Sequence, residues 1–293
     1  MIAAAGQLTI ETGARVCITS TRPKALGQVF IGRKPTEALA LAPLLFAVCG
    51  PAQAEASARA LSAAGADVPA GPGGRAVAAE AIREHLMRIA VDWAGSLGET
   101  TDAALLKAIH HMPRAAPVER SQQATRLVTL LVAPSDRLGE PGWHAGANSV
   151  AARLIRKVIA EGWSTLGGVD GLQAQETSAL TLAGADTSGP SGNGLLARLM
   201  ARAAHLRQLL AELDAEENPE GPVATSRGLL HHRAQLRDGV IASYDITAPT
   251  DVNFAPGGPA EQSLAACGSI AKMPARLLID AFDPCIPYEL RAA

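Results

Sequence analysis

Polar and apolar residues alternate over residues 7–12 and again over 15–20, with Gly13 between them, a pattern that predicts a short opening hairpin. From Pro35 the period lengthens to that of a helix. Proline suits the first helical turn, Glu37 complements the positive end of the helix dipole, and residues 38–48 supply the body. Cys49-Gly50-Pro51 interrupts this run, and residues 52–64 resume as a second helix before a Gly/Pro/Ala loop over 65–74. Residues 75–93 carry Ile82, Leu86, Ile89 and Trp93 at helical spacing. Thr101 or Asp102 can cap a helix that runs to about His111 and stops before Pro113. Further helices are predicted over 117–132, 148–161 and 195–214, with the Gly-, Ser- and Thr-rich stretch 162–194 read as a loop. Asp238-Gly239 lies between the apolar-patterned runs 228–236 and 240–247, a strong hairpin signal. Short helices over 259–270 and 274–282 lead to the end, and no internal repeat is present. The expected architecture is mainly α with small β hairpins (an α+β class), a single domain over residues 1–293.

Composition sharpens this picture. Hydrophobic residues make up 48% of 293 and charged residues 18%, enough to build a core and too apolar for a disordered chain. Aromatics are only 3%, so the core must rest on alanine and leucine, which favours close helix packing. With 26 basic and 28 acidic residues, a formal charge of -2 and no dense basic run, bulk charge gives no hold on a nucleic acid or an anionic membrane. The longest apolar run, residues 38–49, contains Pro43 and falls well short of the roughly 18 residues a spanning helix needs. Residues 1–6 are too short for a signal sequence, so the expected setting is cytoplasmic, without membrane insertion. The 4 cysteines, Cys17, Cys49, Cys267 and Cys285, are too dispersed for a secreted disulfide framework.

Two of these thiols sit in sequences suited to chemistry. Cys49 falls where one helix ends and another begins, and a helix N-terminus favours the thiolate that binds metal or attacks. A small apolar residue at a helix junction is the plainer reading of Cys49 taken alone. In Asp283-Pro284-Cys285-Ile286-Pro287-Tyr288 two prolines fix the backbone around Cys285, as suits a ligand that must be held in place; a proline-punctuated tail with an incidental cysteine is the plainer alternative. Cys17 and Cys267 read as packing residues. His231 and His232, adjacent on a strand, point to opposite faces, and His110-His111 at a helix end suit the local dipole better than a metal. The glycines at 71, 73 and 74, and at 189, 192 and 194, lack the residues of a phosphate loop. No catalytic residue is assigned: a thiol enzyme built on Cys49 would need a histidine that the local sequence does not supply.

Taken together, these segments resemble the large subunits of nickel-iron hydrogenases, which carry an N-terminal CxxC followed by a His and a C-terminal DPCxxC. Phe46-Ala47-Val48-Cys49 is similar to the first motif with Phe46 in place of its first cysteine, and Gln53 stands where the family has His. Asp283-Pro284-Cys285-Ile286-Pro287-Tyr288 is similar to the second, with Tyr288 in place of its last cysteine. Ser226-Arg227-Gly228 resembles the family's PRG segment, whose arginine lies against the iron's cyanide ligands; residues 247–254 resemble the segment that follows, and residues 194–198 a GPLAR stretch. The matches keep the family's order and span most of the chain.

Departures from that pattern shape the expectation. Two of the four thiolates are missing, the acidic RxEG-type segment is reduced to a displaced Glu11, and the family's final His and C-terminal extension are absent. By this resemblance Cys49 corresponds to a bridging ligand and Cys285 to a terminal nickel ligand. Hydrogen activation is not expected, nor is nickel, because two thiolates cannot close a four-sulfur site. The pattern is similar to HupK-type or HoxV-type hydrogenase expression/formation proteins. That resemblance implies a non-enzymatic scaffold that transiently binds iron as Fe(CN)2CO, with Cys49 and Cys285 on the metal and Arg227 toward cyanide. Its implied partners are a HypC-type chaperone, a HypD-type maturation protein and the immature hydrogenase large subunit. The alternative is a metal-free structural or interaction subunit with the same fold. The scaffold reading requires the two cysteine segments to converge beneath the 228–247 hairpin, with the sulfurs within about 5 Å of each other when loaded.

Overall fold

A computed structural model describes residues 6–13, 15–46, 48–184, 192–215 and 221–292. Residues 1–5, which hold most of the opening apolar stretch, and Gly189 lie outside the described residues. The opening hairpin forms as β1 (Leu8–Thr12) and β2 (Cys17–Ser20), paired antiparallel with Ile10 opposite Ile18. Alternation works as expected: Leu8, Ile10 and Ile18 are buried, while Cys17 turns outward and is exposed. The packing role expected of Cys17 is therefore wrong, because period-two geometry puts it on the face opposite Ile18.

A helical body follows: α1 (Pro35–Leu45), α2 (Gly50–Ala63), α3 (Gly74–Arg88), α4 (Ala103–His111), α5 (Pro117–Leu131) and α6 (Val150–Ala160). Helix α1 stops earlier than expected. Pro43 cannot donate to Leu39, and the chain is extended by Phe46. The helix expected over 75–93 divides at Arg88, where Ile89–Trp93 continue as a π turn that leads into Ala94–Ser96. One extra residue in that turn rotates the following face and sends Trp93 into the core.

Residues 162–184 and 192–194 carry more structure than their composition suggests. Asn193 clasps Val169, accepting from its N–H at 2.8 Å and donating to its carbonyl at 2.6 Å. A short α7 (Ala179–Leu182) is capped by Ser178, and Glu176 forms a buried ion pair with Arg198 of α8 (Leu195–Glu212). The polar residues that read as loop signals are used as clasps and caps.

The second sheet contains β3 (Val223–Thr225), β4 (Gly228–Arg237) and β5 (Val240–Thr247) in antiparallel order. Asp238 and Gly239 both take positive φ, as the tight turn between β4 and β5 requires. Helices α9 (Pro249–Asn253), α10 (Pro259–Ala266) and α11 (Lys272–Phe282) follow. The tail, which gave no strand signal, forms β6 (Tyr288–Ala292) parallel to β1, with Ile10 opposite Leu290. This pairing joins the two ends of the chain and completes the order β2-β1-β6.

The main core lies between α3, α5, α6, α8 and α11, where Ile82, Leu86, Ile155, Leu199, Leu206 and Phe282 are almost fully buried. A smaller cluster of Phe30, Ala38, Ala42, Leu61 and Tyr244 seats α1 and α2 against β5. Gly27 is required there: a Cβ would lie 2.0 Å from the Tyr244 carbonyl oxygen. Cys49 packs against Val223 and Leu230 of the second sheet, while Cys285, just after α11, packs against the main core.

Candidate metal centre

Cys49 is the residue immediately before α2, with Pro51 in that helix's first turn. Gln53, one turn on and buried, donates from Nε2 to the Cys49 sulfur at 3.5 Å. Its Oε1 lies 2.9 Å from His232 Nε2, His232 Nδ1 lies 2.9 Å from the Tyr244 hydroxyl, and that hydroxyl lies 2.8 Å from Ser57 Oγ. Burial pushes His232 down to about 3, so the ring is neutral and carries one proton. Gln53 Oε1 can only accept, which places that proton on Nε2 and leaves Nδ1 to accept from Tyr244. The side chains thus form a directed relay from Ser57 through Tyr244, His232 and Gln53 to Cys49. His232 is not a metal ligand in this arrangement; it orients the glutamine.

Helix N-terminal placement does not make Cys49 a thiolate. Burial, with the nearby Cys285 second, pushes its thiol up to about 12, so the metal-free chain holds it protonated. The expectation of a thiolate fails because desolvation of a buried sulfur outweighs the dipole of one helix end.

Cys285 is held by different means. Asp283 ends α11 in the left-handed region (φ 55°) and turns the chain so that Pro284 and Pro287 frame the cysteine. Arg22, just after β2, donates from Nη1 to the Cys285 sulfur at 3.0 Å. Thr250, in the first turn of α9, donates to the sulfur at 3.1 Å while accepting the Cys285 N–H at 3.0 Å. Arg22 Nε is ion-paired with Asp251 at 3.0 Å. Cys285 lies within electrostatic reach of Cys49, and Arg22 lies within reach of both sulfurs.

Arg227 lies in the turn before β4, its side chain buried, with Nη2 on Glu84 at 2.8 Å and Nε 3.5 Å from Asp283. Gly228 makes this turn possible. It takes φ of 125°, and a Cβ there would meet Thr177 at 2.4 Å. Asp283 also receives Arg88 Nε at 3.0 Å and Arg202 Nη1 at 3.1 Å. Burial alone would push that carboxyl up, yet Arg227, Arg88 and Arg202 together hold it well below the usual carboxylate range. A cavity of about 600 Å³ opens onto this assembly, lined by Val48, Arg227, Cys285 and Pro287 together with Lys272 and Arg276.

The positions that depart from the hydrogenase pattern are filled in ways that exclude ligation. Phe46 is buried. Tyr288 turns its hydroxyl to Asp280 at 2.7 Å, and burial followed by that carboxylate pushes the phenol far up. Glu11 is half exposed and faces Arg291 at 3.5 Å on the outer sheet. Among the described residues no group of three or more His, Cys, Asp or Glu is arranged to hold a metal ion. What the protein offers is two sulfurs. Arg22, Glu84 and the two further arginines around Asp283 carried no local sequence signal; Thr250 and Asp283 lie inside recognised segments, but their partners Cys285, Arg88 and Arg202 are distant in the chain.

No family model matches the chain. It is 28% identical to the hydrogenase expression/formation protein HupK of Azotobacter vinelandii over 91% of this chain and 90% of that one. With HoxV of Cupriavidus necator, a protein of the same description, the identity is 29% over 100% and 97%. The chain is similar to HupK and HoxV along most of its length. Among solved structures it superposes on the nickel-iron-selenium hydrogenase of Desulfovibrio vulgaris Hildenborough with a TM-score of 0.57 at 15% identity, over 93% of this chain and 94% of that one. An NAD+-reducing nickel-iron hydrogenase gives 0.51 at 12% identity, over 93% of each chain. The fold is that of a hydrogenase large subunit, while the relatives in sequence are expression/formation proteins. Among the described residues no helix is long and apolar enough to cross a membrane.

Proposed function

We propose that this chain acts in hydrogenase maturation as a non-catalytic scaffold, holding an Fe(CN)2CO unit between Cys49 and Cys285 before release to an immature large subunit. The relatives' role in hydrogenase expression and formation supports the general assignment. The observation that carries the specific one is a cavity large enough to admit a small complex, lined by Cys285 and Arg227, with Cys49 within electrostatic reach of both.

The chemistry suits that cargo. Thiolates are soft ligands for iron, and two of them hold a complex that four would trap. Ferrous iron with two cyanides is neutral, so adding two thiolates leaves two negative charges in a buried site. Arg227 and Arg22 are the cations beside those charges, and Arg227 supplies N–H donors suited to cyanide nitrogen. Each thiol must give up its proton as the iron binds. A HypC-type chaperone and a HypD-type protein are the proposed sources of the cargo, and the immature large subunit its recipient. The proposed setting for this exchange is the cytoplasm.

A metal-free structural subunit is the second reading. It is favoured by the protonated, hydrogen-bonded state of Cys49. Infrared spectroscopy separates the two. Protein isolated anaerobically from a host expressing the maturation proteins is expected to show cyanide and carbonyl stretching bands, lost in Cys49→Ala and in Cys285→Ala. Bands on the partner chaperones with none on this chain would favour the structural reading.

A further inference from the structure

Strand β6 leaves half of its backbone groups unpaired beside the cavity that Cys285 lines. Among the described residues it pairs with β1 alone. The Leu8 N–H donates to the Pro287 carbonyl at 2.9 Å, so in this parallel ladder Pro287, Glu289 and Arg291 turn their backbone groups toward β1. The N–H and C=O of Tyr288 and Leu290 then face the other way, and among the described residues no hydrogen bond reaches them. Tyr288, Glu289 and Leu290 all line the cavity. Consecutive strand residues turn to opposite faces, so a space that touches all three meets the strand along its free edge.

The same space is cationic. Its walls carry Arg88, Arg227, Lys272 and Arg276 against one acid, Glu289, in a chain whose formal charge is -2. Arg88 and Arg227 are committed to Asp283 and Glu84. Lys272 and Arg276, both exposed and one turn apart on α11, are not so held. Lys272 forms no ion pair among the described residues, and Arg276 reaches only Asp92 and Asp280, at 3.9 and 3.8 Å. Tyr288 turns toward Asp280 of α11, which puts Glu289 on the opposite face of the sheet, where Arg291 holds it at 2.9 Å.

We propose that the free edge of β6 is a docking site for an extended, acidic segment of a partner protein, which adds as a fourth strand to the β2-β1-β6 sheet. Main-chain hydrogen bonds to Tyr288 and Leu290 supply the attachment. Every second side chain of the added strand turns toward α11, where carboxylates meet Lys272 and Arg276. A second copy of this chain suits the edge less well, because two-fold pairing of β6 with itself brings the same two cations of each copy toward one another. The docked segment lies beside the cavity lined by Cys285, a position from which a partner can deliver or remove what that residue holds. The docking itself rests on the edge and the charges and does not depend on the iron-scaffold reading.

The test uses the full chain, reduced, and follows the fluorescence anisotropy of a short labelled peptide that alternates glutamate with threonine. The chain is expected to bind it, less tightly as salt is raised, and to ignore the same peptide with lysine in place of glutamate. Methylating the peptide's backbone nitrogens removes its strand donors and keeps every charge; binding is expected to weaken at least about tenfold. The double variant Lys272→Glu, Arg276→Glu, shown to be folded by circular dichroism, is expected to weaken it by at least about the same factor. Equal affinity for the methylated peptide, unchanged affinity in the folded double variant, or no binding of the acidic peptide would each overturn the proposal. So would sedimentation showing the edge closed by a dimer that the peptide does not displace. Absence of cyanide bands in the cargo-loading experiment would overturn the iron-scaffold reading while leaving this result in place.

Discussion

At the residue scale the organising group is Asp283. It is 2% exposed and is shared by Arg88, Arg202 and Arg227, which approach from α3, α8 and the turn before β4. One carboxylate thus sets the position of the arginine assigned to cyanide and the orientation of the segment carrying Cys285. Removing its charge leaves three buried guanidinium groups without their common partner. Asp283→Asn is expected to destabilise the chain by about 3–5 kcal/mol in urea denaturation, the range for breaking a buried pair. Arg276, whose side chain is 56% exposed at 3.8 Å from Asp280, should tolerate Arg276→Ala within about 0.5 kcal/mol. Asp283 is visible in the sequence as part of the proline-flanked motif. Two of its three arginine partners are not, since Arg88 and Arg202 lie 195 and 81 residues away and nothing local marks them.

At the scale of elements, what the sequence made legible was what local pattern controls. The opening hairpin, the helix break at Cys49, the helices that build the core and the turn at Asp238-Gly239 all follow from period, caps and positive-φ residues. Strand β6 was not legible because its partner is β1, at the other end of the chain, and its five residues carry no hydrophobic alternation of their own. The π turn at Ile89–Trp93 escaped for a related reason: one extra residue shifts the face without disturbing the apolar spacing that announces a helix. Of the candidate site, Cys49, Cys285 and Arg227 were singled out through the family's motifs, and the fold puts Cys49 within electrostatic reach of the other two. The state of Cys49 was misjudged because sequence shows the helix end but not the depth of burial. Arg22 and the relay ending at Gln53 depend on contacts between distant segments and so required the fold.

For the whole molecule, burial of polar groups in the main core couples stability to pH. Arg202 donates to His85 Nδ1 at 2.9 Å, so His85 carries its proton on Nε2 and donates to His205 Nδ1 at 3.0 Å. Burial first, then the charge of Arg202, lowers both rings, His205 to about 4. A folded value below the ordinary 6.5 means that the unfolded chain takes up the proton first. The stabilisation is therefore complete above about pH 6.5 and is lost as pH falls toward 4. Between pH 7 and pH 5 the wild-type chain is expected to lose on the order of 2 kcal/mol more than His205→Gln in urea denaturation. Equal losses in the two chains would show that His205 is not held neutral by the fold.

The central claim is that two cysteines, and no other protein sulfur, hold one iron in a hydrogenase-like fold that lacks the rest of the metal site. Iron-edge X-ray absorption on the cargo-loaded chain tests it most directly, because it counts the sulfur neighbours of the metal. The account predicts two sulfurs at roughly 2.3 Å, the usual metal–thiolate distance, alongside short bonds to carbon, and one sulfur in either Cys49→Ser or Cys285→Ser. An iron with no sulfur neighbours, or a sulfur count that neither substitution changes, would contradict it.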